Sequence, residues 1–444
     1  MDRLDESTIS SLPALTNVSG YHSPHALQME KERLWPKVWL IACRQEEVQK
    51  PGDYVVLDIA DESIIVVRDE KEVRAFYNIC QHRGRRLKEG CGNTGKMLRC
   101  AFHGWRWHTD GRIAHITDRD DWDGRPACAD ADVGLKPVRL EAWGGWYWVT
   151  MDPDIEPLLD YLAPIPEIFQ HHELENCRRA WFQTVVFPCN WKLALDAFNE
   201  GYHVEATHSQ VMRYGRPRSV SKAFGKHGWF GYPGYAQKFN AAAATTQVDY
   251  RKLLIEREKE RDEWLHALVS PHALKASRRL LDELPESASY AEAMAAYKRF
   301  HEEEARAAGV PWPEQLTPAD VERAGISWHV FPNTVFLPST DGALWYRARP
   351  NGDDPNTCLY DIWWLQRYPE GEEPKVEHEF YPTTESYKGK NPFLEQDFSN
   401  LAAVQQGVKS RGFAGARTNP VQEVAISNFH RVWTEYMGGP VDAK

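Results

Sequence analysis

Cys80-x-His82 and Cys100-x-x-His103 place two thiols and two imidazoles at two points of the chain, seventeen residues apart. Such a set can hold a structural zinc ion, which accepts Cys2His2. It can equally hold a [2Fe–2S] cluster, with two Cys on one iron and two His on the other. The order of the ligands favours the cluster. Zinc fingers usually run a Cys pair and then a His pair, whereas here each loop supplies one of each. A second close pair stands in Glu200-Gly-Tyr-His203-Val-Glu-Ala-Thr-His208. Two His and one carboxylate on one face hold a mononuclear Fe(II) and leave positions open for other ligands. A spacing of five does not put both rings squarely on one face of a regular helix, where four would. The pair converges if the helix ends or bulges between them, which Gly201, Val204 and Thr207 favour. His171 and His172 are adjacent and point apart on most backbones.

Something must position these groups. Residues 38–43, 54–59, 63–68, 73–77 and 144–150 are β-rich runs separated by turns such as Pro51-Gly52. Both Cys/His pairs sit where such runs end, so a small β domain is expected over 38–158. The second domain is expected to comprise 1–37 and 159–444, because single cores usually split beyond about 250–300 residues. Within it, 180–187 reads as a strand and 191–206 as a helix. The stretch 249–307, rich in Glu, Lys, Arg, Ala and Leu, reads as helical. Its charge run at 255–262 reads as a solvated face. Strands are expected at 327–331, 334–337, 343–348 and 358–365, a loop over 366–392, and helices over 393–412 and 419–437.

The chain has 444 residues, 42% hydrophobic and 26% charged, with a net charge of −11. That balance argues against a nucleic-acid partner. No apolar run approaches the ~20 residues of a membrane span. The start, Met-Asp-Arg-Leu-Asp-Glu, lacks the basic and apolar regions of a signal peptide. A cytoplasmic protein is therefore expected, with Cys43, Cys91, Cys128, Cys177, Cys189 and Cys358 as reduced thiols.

Cys80-Gln-His82-Arg-Gly-Arg-Arg-Leu87 and Cys100-Ala-Phe-His103-Gly-Trp105, followed by Asp110-Gly111, closely resemble the Rieske signature of the ring-hydroxylating oxygenases. Asn190-Trp-Lys-Leu, Glu200-Gly-Tyr-His203 and His208 resemble the catalytic-domain signature of their large (alpha) subunits. The resemblance implies an α+β fold. An N-terminal all-β Rieske [2Fe–2S] domain would precede a helix-grip-like α+β catalytic domain, an antiparallel sheet with helices. Cys80, His82, Cys100 and His103 would hold the cluster, and His203 and His208 the mononuclear Fe(II). The third iron ligand of that family lies far downstream at the start of a helix. Glu395-Gln-Asp397-Phe-Ser-Asn resembles that segment, which implies Asp397, with Glu395 as the alternative. A plain helix N-cap is the other reading of Asp397.

The same resemblance implies a head-to-tail homotrimer, with or without a small beta subunit. In it His103 of one subunit would face Glu200 of the next, and Glu200 would also reach His203. Many relatives carry Asp in place of Glu200, Asn in place of Asp196 and often Pro in place of Ala101. No GxGxxG or flavin motif is apparent. NAD(P)H would therefore act only through a separate reductase or ferredoxin, with O2 as co-substrate. Arg83, Arg85, Arg86 and Arg106 would either meet an acidic ferredoxin or bond within the fold. The expected role is a terminal oxygenase that hydroxylates an aromatic or other apolar small molecule. Oxidative O- or N-demethylation uses the same ligands. A Rieske electron-transfer protein without oxygenase activity is the alternative of a different class. Pocket candidates are the turns after His208, residues 215–245 and the strands around 328–336.

Overall fold

The computed structural model describes residues 12, 15–122, 128–214, 218–233 and 248–441. The chain forms two compact units, Met29–Tyr161 and a second built from Met1–Gln28 with Leu162–Lys444.

The first unit is all-β apart from short helical turns. Seven antiparallel strands run in the order Leu40–Arg44, Trp146–Thr150, Pro137–Trp143, Val73–Tyr77, Glu62–Arg68, Asp53–Ile59 and Cys91–Asn93. A three-stranded sheet, Met97–Arg99, Arg106–His108 and Ile113–His115, carries the second Cys/His loop. Ile65, Val67, Phe76, Leu98, Trp105 and Trp107 pack together, with Cys80 and Cys100 inside the same buried cluster. The cysteines are therefore fixed by the core, not only by their loops.

The second unit is built on an eight-stranded sheet. Its order is Val220–Phe224, His227–Gly231, Ser327–Val330, Thr334–Pro338, Gly342–Asn351, Asp354–Gln366, Arg178–Phe187 and His378–Tyr381. All neighbours are antiparallel except the last pair, which is parallel. The parallel strand lies inside 366–392, where Pro and charge led to the expectation of a loop. It adds only a four-residue edge, too short to register as a period. Helices Pro392–Gly407 and Val424–Met437 pack on the sheet. The helical region after residue 249 resolves into Tyr250–Glu260, a π-turn Arg261–Leu265, Pro271–Glu283 and Tyr290–Ala307. Asp249, Ser270 and Ser289 cap these helices through their side chains, offsetting backbone N–H groups with no partner inside the helix. The 255–262 charge run is not simply solvated. Glu258 is fully buried and takes ion pairs from Arg257 and Arg261.

A charged knot pins the three longest strands, Gly342–Asn351, Asp354–Gln366 and Arg178–Phe187, together. Asp361 is fully buried, 2.7 Å from Arg347 Nη2, 2.8 Å from Arg349 Nε and 2.7 Å from Thr184 Oγ1. Burial opposes its charge, but Arg349 and Arg347 together hold its carboxyl well below the ordinary range. Removing one member of such a set leaves a buried charge uncompensated. Asp361→Ala is expected to cost about 3–5 kcal/mol. An unchanged urea midpoint would contradict this.

Two buried histidines make the unit acid-sensitive. Burial lowers His172 to about 4, helped by Arg367 and His171 and opposed by Asp320. Burial also lowers His329 to about 4, against a hydrogen bond to the Pro332 carbonyl. Both pKa values are depressed on folding, so between pH 6.5 and 4 the unfolded chain binds the extra protons. Their stabilisation is complete above about pH 6.5 and lost as pH falls toward 4, on the order of 3 kcal/mol each. Urea midpoints at pH 7 and pH 4.5 check this, and His329→Gln should flatten the difference.

Candidate active site

The two Cys/His loops of the first unit are built alike. Cys80 N–H donates to the Arg85 carbonyl at 2.8 Å and Gly84 N–H to the Cys80 carbonyl at 3.0 Å. Cys100 N–H donates to the Trp105 carbonyl at 2.9 Å and Gly104 N–H to the Cys100 carbonyl at 3.1 Å. Gly84 and Gly104 both have positive φ, +76° and +78°, which a side chain would strain. The loops bring the four residues together. The Cys80 and Cys100 side chains are hydrogen-bonding neighbours, and the His82 and His103 rings lie 4.7 Å apart. Trp105 stacks on His82 at 4.8 Å. Burial raises Cys100, but the N–H groups of Phe102 and His103, with Cys80 and Arg85, carry its thiol below its ordinary value. Burial raises Cys80, and Cys100 raises it further, against N–H groups of His82 and Arg83.

Of the nearby arginines, Arg86 pairs with Asp58 and donates to Ser63 Oγ at 2.8 Å. Arg85 donates to the Arg86 carbonyl at 2.7 Å. Arg83 lies over the Phe102 ring, which is 59% exposed. Arg106 is exposed.

In the second unit the expected helix over 191–206 is broken. Asn190 caps Trp191–Asp196 by accepting from Lys192 N–H. The chain then turns, and one further helical turn covers Val204–Thr207. His203 and His208 flank that single turn as its caps, which is how a spacing of five brings both rings to one point. Gly201 permits the turn, because a Cβ there would lie 3.0 Å from Tyr232 Oη and 3.1 Å from Ser219 Cβ. Asp397 reaches the same point from the Pro392–Gly407 helix, whose N-cap is Asn391. The N-cap reading of Asp397 is therefore excluded. Glu395 is turned elsewhere, accepting from Gly389 N–H at 2.8 Å.

One ligand atom from each of His203, His208 and Asp397 lies within 4.8 Å of the others. His208 Nε2 is 2.8 Å and His203 Nε2 3.5 Å from Asp397 Oδ1. The opposite ring nitrogens are held from behind. His203 Nδ1 is 2.6 Å from Glu200 Oε1, and His208 Nδ1 is 2.7 Å from Gln396 Oε1. Glu200 Oε2 also accepts from the N–H groups of Tyr202 and His203. Phe393 stacks on His208 at 4.0 Å. Gln396 and Phe393 escaped sequence reasoning; adjacency to Asp397 was their only signal. So did a second buried network, in which the Tyr21 hydroxyl donates to Asp196 and His430 Nε2 lies 3.0 Å from Asp196 Oδ2.

The three residues open onto a cavity of about 1000 Å³. Phe198, Phe224, Trp229, Phe230, Trp328 and Tyr346 are among its walls. Gln210, Val211 and Met212, in the turn after His208, also line it. Residues 215–217 and 234–245 of the expected pocket segment 215–245 lie outside the described residues.

The model of the Rieske [2Fe-2S] domain matches residues 38–126, and that of the ring hydroxylating alpha subunit (catalytic domain) matches residues 170–439. The chain belongs to the Rieske ring-hydroxylating oxygenase alpha-subunit family. This Rieske alpha subunit is 34% identical over 210 residues to the carnitine monooxygenase oxygenase subunit of Escherichia coli K12, covering 44% of this chain and 54% of that one. It is 30% identical over 197 residues to the glycine betaine monooxygenase oxygenase subunit of Chromohalobacter salexigens, covering 43% and 42%. The chain thus spans about half the length of the curated relatives it matches. The fold is shared further. A crystal structure of a quaternary ammonium Rieske monooxygenase with L-carnitine superposes with a TM-score of 0.64 at 18% identity, covering 98% of this chain and 99% of that one.

The cofactors of this Rieske family are a [2Fe–2S] cluster and a mononuclear iron, and the residues suit both. His82 Nδ1 is sealed from solvent and has no hydrogen-bond partner among the described residues, an orphan that a metal satisfies. At the second site Glu200 Oε1 and Gln396 Oε1 are acceptors, so each histidine must donate from Nδ1. Its Nε2 lone pair is then left facing the Asp397 carboxylate. With both rings neutral, two lone pairs and a carboxylate converge on one point, a donor set that suits a divalent cation.

Proposed function

We propose that this chain is the terminal oxygenase of a multicomponent Rieske system, hydroxylating an aromatic or other apolar small molecule with O2. The observation that carries this reading is the convergence of His203, His208 and Asp397 in the wall of a large aromatic-lined cavity. On this reading His203, His208 and Asp397 hold the iron and Cys80, His82, Cys100 and His103 the cluster. When bound, the iron supplies open positions for O2, and the cluster supplies single electrons. The protein does the rest. Glu200 and Gln396 fix the ring orientation and tautomer of the two histidines, as outer partners of metal ligands do. Phe393 holds the His208 ring in place. The apolar walls exclude water and set which part of the substrate faces the triad.

Electrons come from a separate reductase or ferredoxin, for which exposed Arg83, Arg106 and Phe102 offer a landing surface. Glu200 is the carboxylate that links His203 to His103 of a neighbouring subunit in a head-to-tail trimer, a ring that symmetry permits. A small beta subunit is compatible with this assembly. Domain limits near 38–158 for the cluster domain follow the same reading.

Oxidative demethylation is the second reading. The two relatives carry quaternary ammonium substrates in their names, and aromatic walls such as Trp229 and Trp328 can surround a quaternary ammonium group. Product analysis separates the readings. The protein is supplied with a surrogate reductase and challenged with aromatic hydrocarbons and with aryl or alkyl trimethylammonium compounds. A hydroxylated ring supports the first; formaldehyde release with a dimethylamino product supports the second. Iron content addresses the electron-carrier alternative, with about three irons per chain for an oxygenase and about two for a carrier.

A further inference from the structure

One wall of the cavity differs from the aromatic rest. It is formed by the Tyr250–Glu260 helix with its π-turn and by the Tyr290–Ala307 helix. Arg257, Arg261, Lys298 and His301 all line the cavity there. Lys298 and His301 are three apart, and Arg257 and Arg261 four apart, so each pair shares a helix face.

The anionic partners do not exhaust these donors. Arg257 Nη2 is 2.6 Å from Glu258 Oε1, and Arg261 Nη1 is 3.3 Å from Glu258 Oε2. Two guanidiniums thus share one buried carboxylate. His301 is buried, with Nε2 2.7 Å from Asp341 Oδ1 and 3.5 Å from Ser270 Oγ. That contact commits Nε2 to donating and favours the imidazolium. Among the described residues its Nδ1 has no partner, yet Nδ1 is not one of the sealed unpartnered atoms. It therefore reaches open space, which on this wall is the cavity. Lys298 is exposed and has no ion-pair partner among the described residues. Glu260, Glu322 and Asp341 also border the cavity, and Asp341 is the acid already paired with His301. Glu322 is exposed, and Glu260 is engaged with a partner of its own.

From this geometry we infer that the wall is a recognition site for a carboxylate carried by an otherwise apolar substrate. His301 Nδ1–H and the Lys298 ammonium are its principal donors, and the Arg257–Arg261 pair supplies an unneutralised positive charge. A planar carboxylate accepts from several such donors at once. Anchoring that end would leave the apolar body of the molecule among the aromatic walls. Asp341 is the positioning residue, holding His301 so that Nδ1 and not Nε2 meets the ligand. The role rests on the oxygenase reading, but the binding site does not.

The test uses the purified holoprotein and three probes that share a biphenyl body and carry a negative, a neutral and a positive head group: biphenyl-4-carboxylate, biphenyl-4-methanol and 4-phenylbenzyltrimethylammonium. Binding is measured by calorimetry without reductase, so no turnover is needed. The carboxylate is expected to bind at least tenfold tighter than the alcohol. Lys298→Met, at an exposed position, and His301→Gln should each shrink that preference severalfold while leaving alcohol binding unchanged. Equal affinity for acid and alcohol, tightest binding of the ammonium, or no binding of any probe would overturn the inference. So would variants that lose acid and alcohol alike. If the acid preference holds but no product forms with a surrogate reductase, the anionic site stands and the oxygenase reading fails.

Discussion

His208→Ala is expected to yield a folded protein that keeps the absorption of its cluster, carries about one iron fewer per chain and forms no detectable product. His208 is the more buried of the two histidines, and its ring is held at both nitrogens: Nδ1 against Gln396 at 2.7 Å and Nε2 against Asp397 at 2.8 Å. Phe393 stacks on the same ring at 4.0 Å and holds it in that orientation. The loss should exceed the 10- to 100-fold typical of an outer partner of a metal ligand, which is the effect expected for Gln396→Leu. The first unit is a separate compact body with its own core, so cluster assembly should not change. Iron analysis, the visible spectrum and coupled turnover check the three parts. Near-normal product formation would remove His208 from the site.

Glu200→Gln is expected to leave both metals loaded and the assembly intact while turnover falls by about two orders of magnitude. The reason is local hydrogen-bond chemistry. Glu200 uses both carboxylate oxygens, Oε2 for the N–H groups of Tyr202 and His203 and Oε1 for His203 Nδ1. A glutamine has one acceptor oxygen, so its NH2 must face either those backbone donors or the Nδ1–H. Either way a donor meets a donor, and His203 loses its tautomer or its orientation. If Glu200 also links two subunits, reoxidation of the reduced cluster by O2 in the presence of substrate should slow by a similar factor. Rapid mixing measures that rate directly. A wild-type rate with reduced steady-state turnover would confine Glu200 to orienting His203.

Much of the chemistry could be read from residue types and spacing. Two Cys/His pairs of mixed order pointed to a cluster, not a finger, and a His pair downstream pointed to a second metal. The strand-rich N-terminal part and most strands and helices of the second part were legible as well, since alternation and β-branched runs report on a local period, whereas the antiparallel sheet itself was implied by the family resemblance. Local period was also where sequence reasoning failed. The helix expected over 191–206 stops at Asp196, and the turn that follows brings Gly201 close to Ser219 and Tyr232, residues distant in sequence. The 366–392 stretch hides a strand that exists only because the Arg178–Phe187 strand offers it an edge. The 255–262 run appeared solvated, although Glu258 is drawn into the interior by two arginines.

What the sequence by itself determined, then, is the inventory: which atoms can bind metal, how many centres they make and what kind of scaffold carries them. Ligand identity follows from side-chain chemistry, and strand and helix content from short-range patterning. The tertiary structure decided the rest. It broke one helix so that His203 and His208 face inward, carried Asp397 to them from nearly two hundred residues away, and set Gln396 and Glu200 behind the rings. It also placed Arg257, Lys298 and His301 around one cavity. These are contacts between residues remote in the chain, whose energies depend on distance and burial, and neither quantity is written in a local run of amino acids.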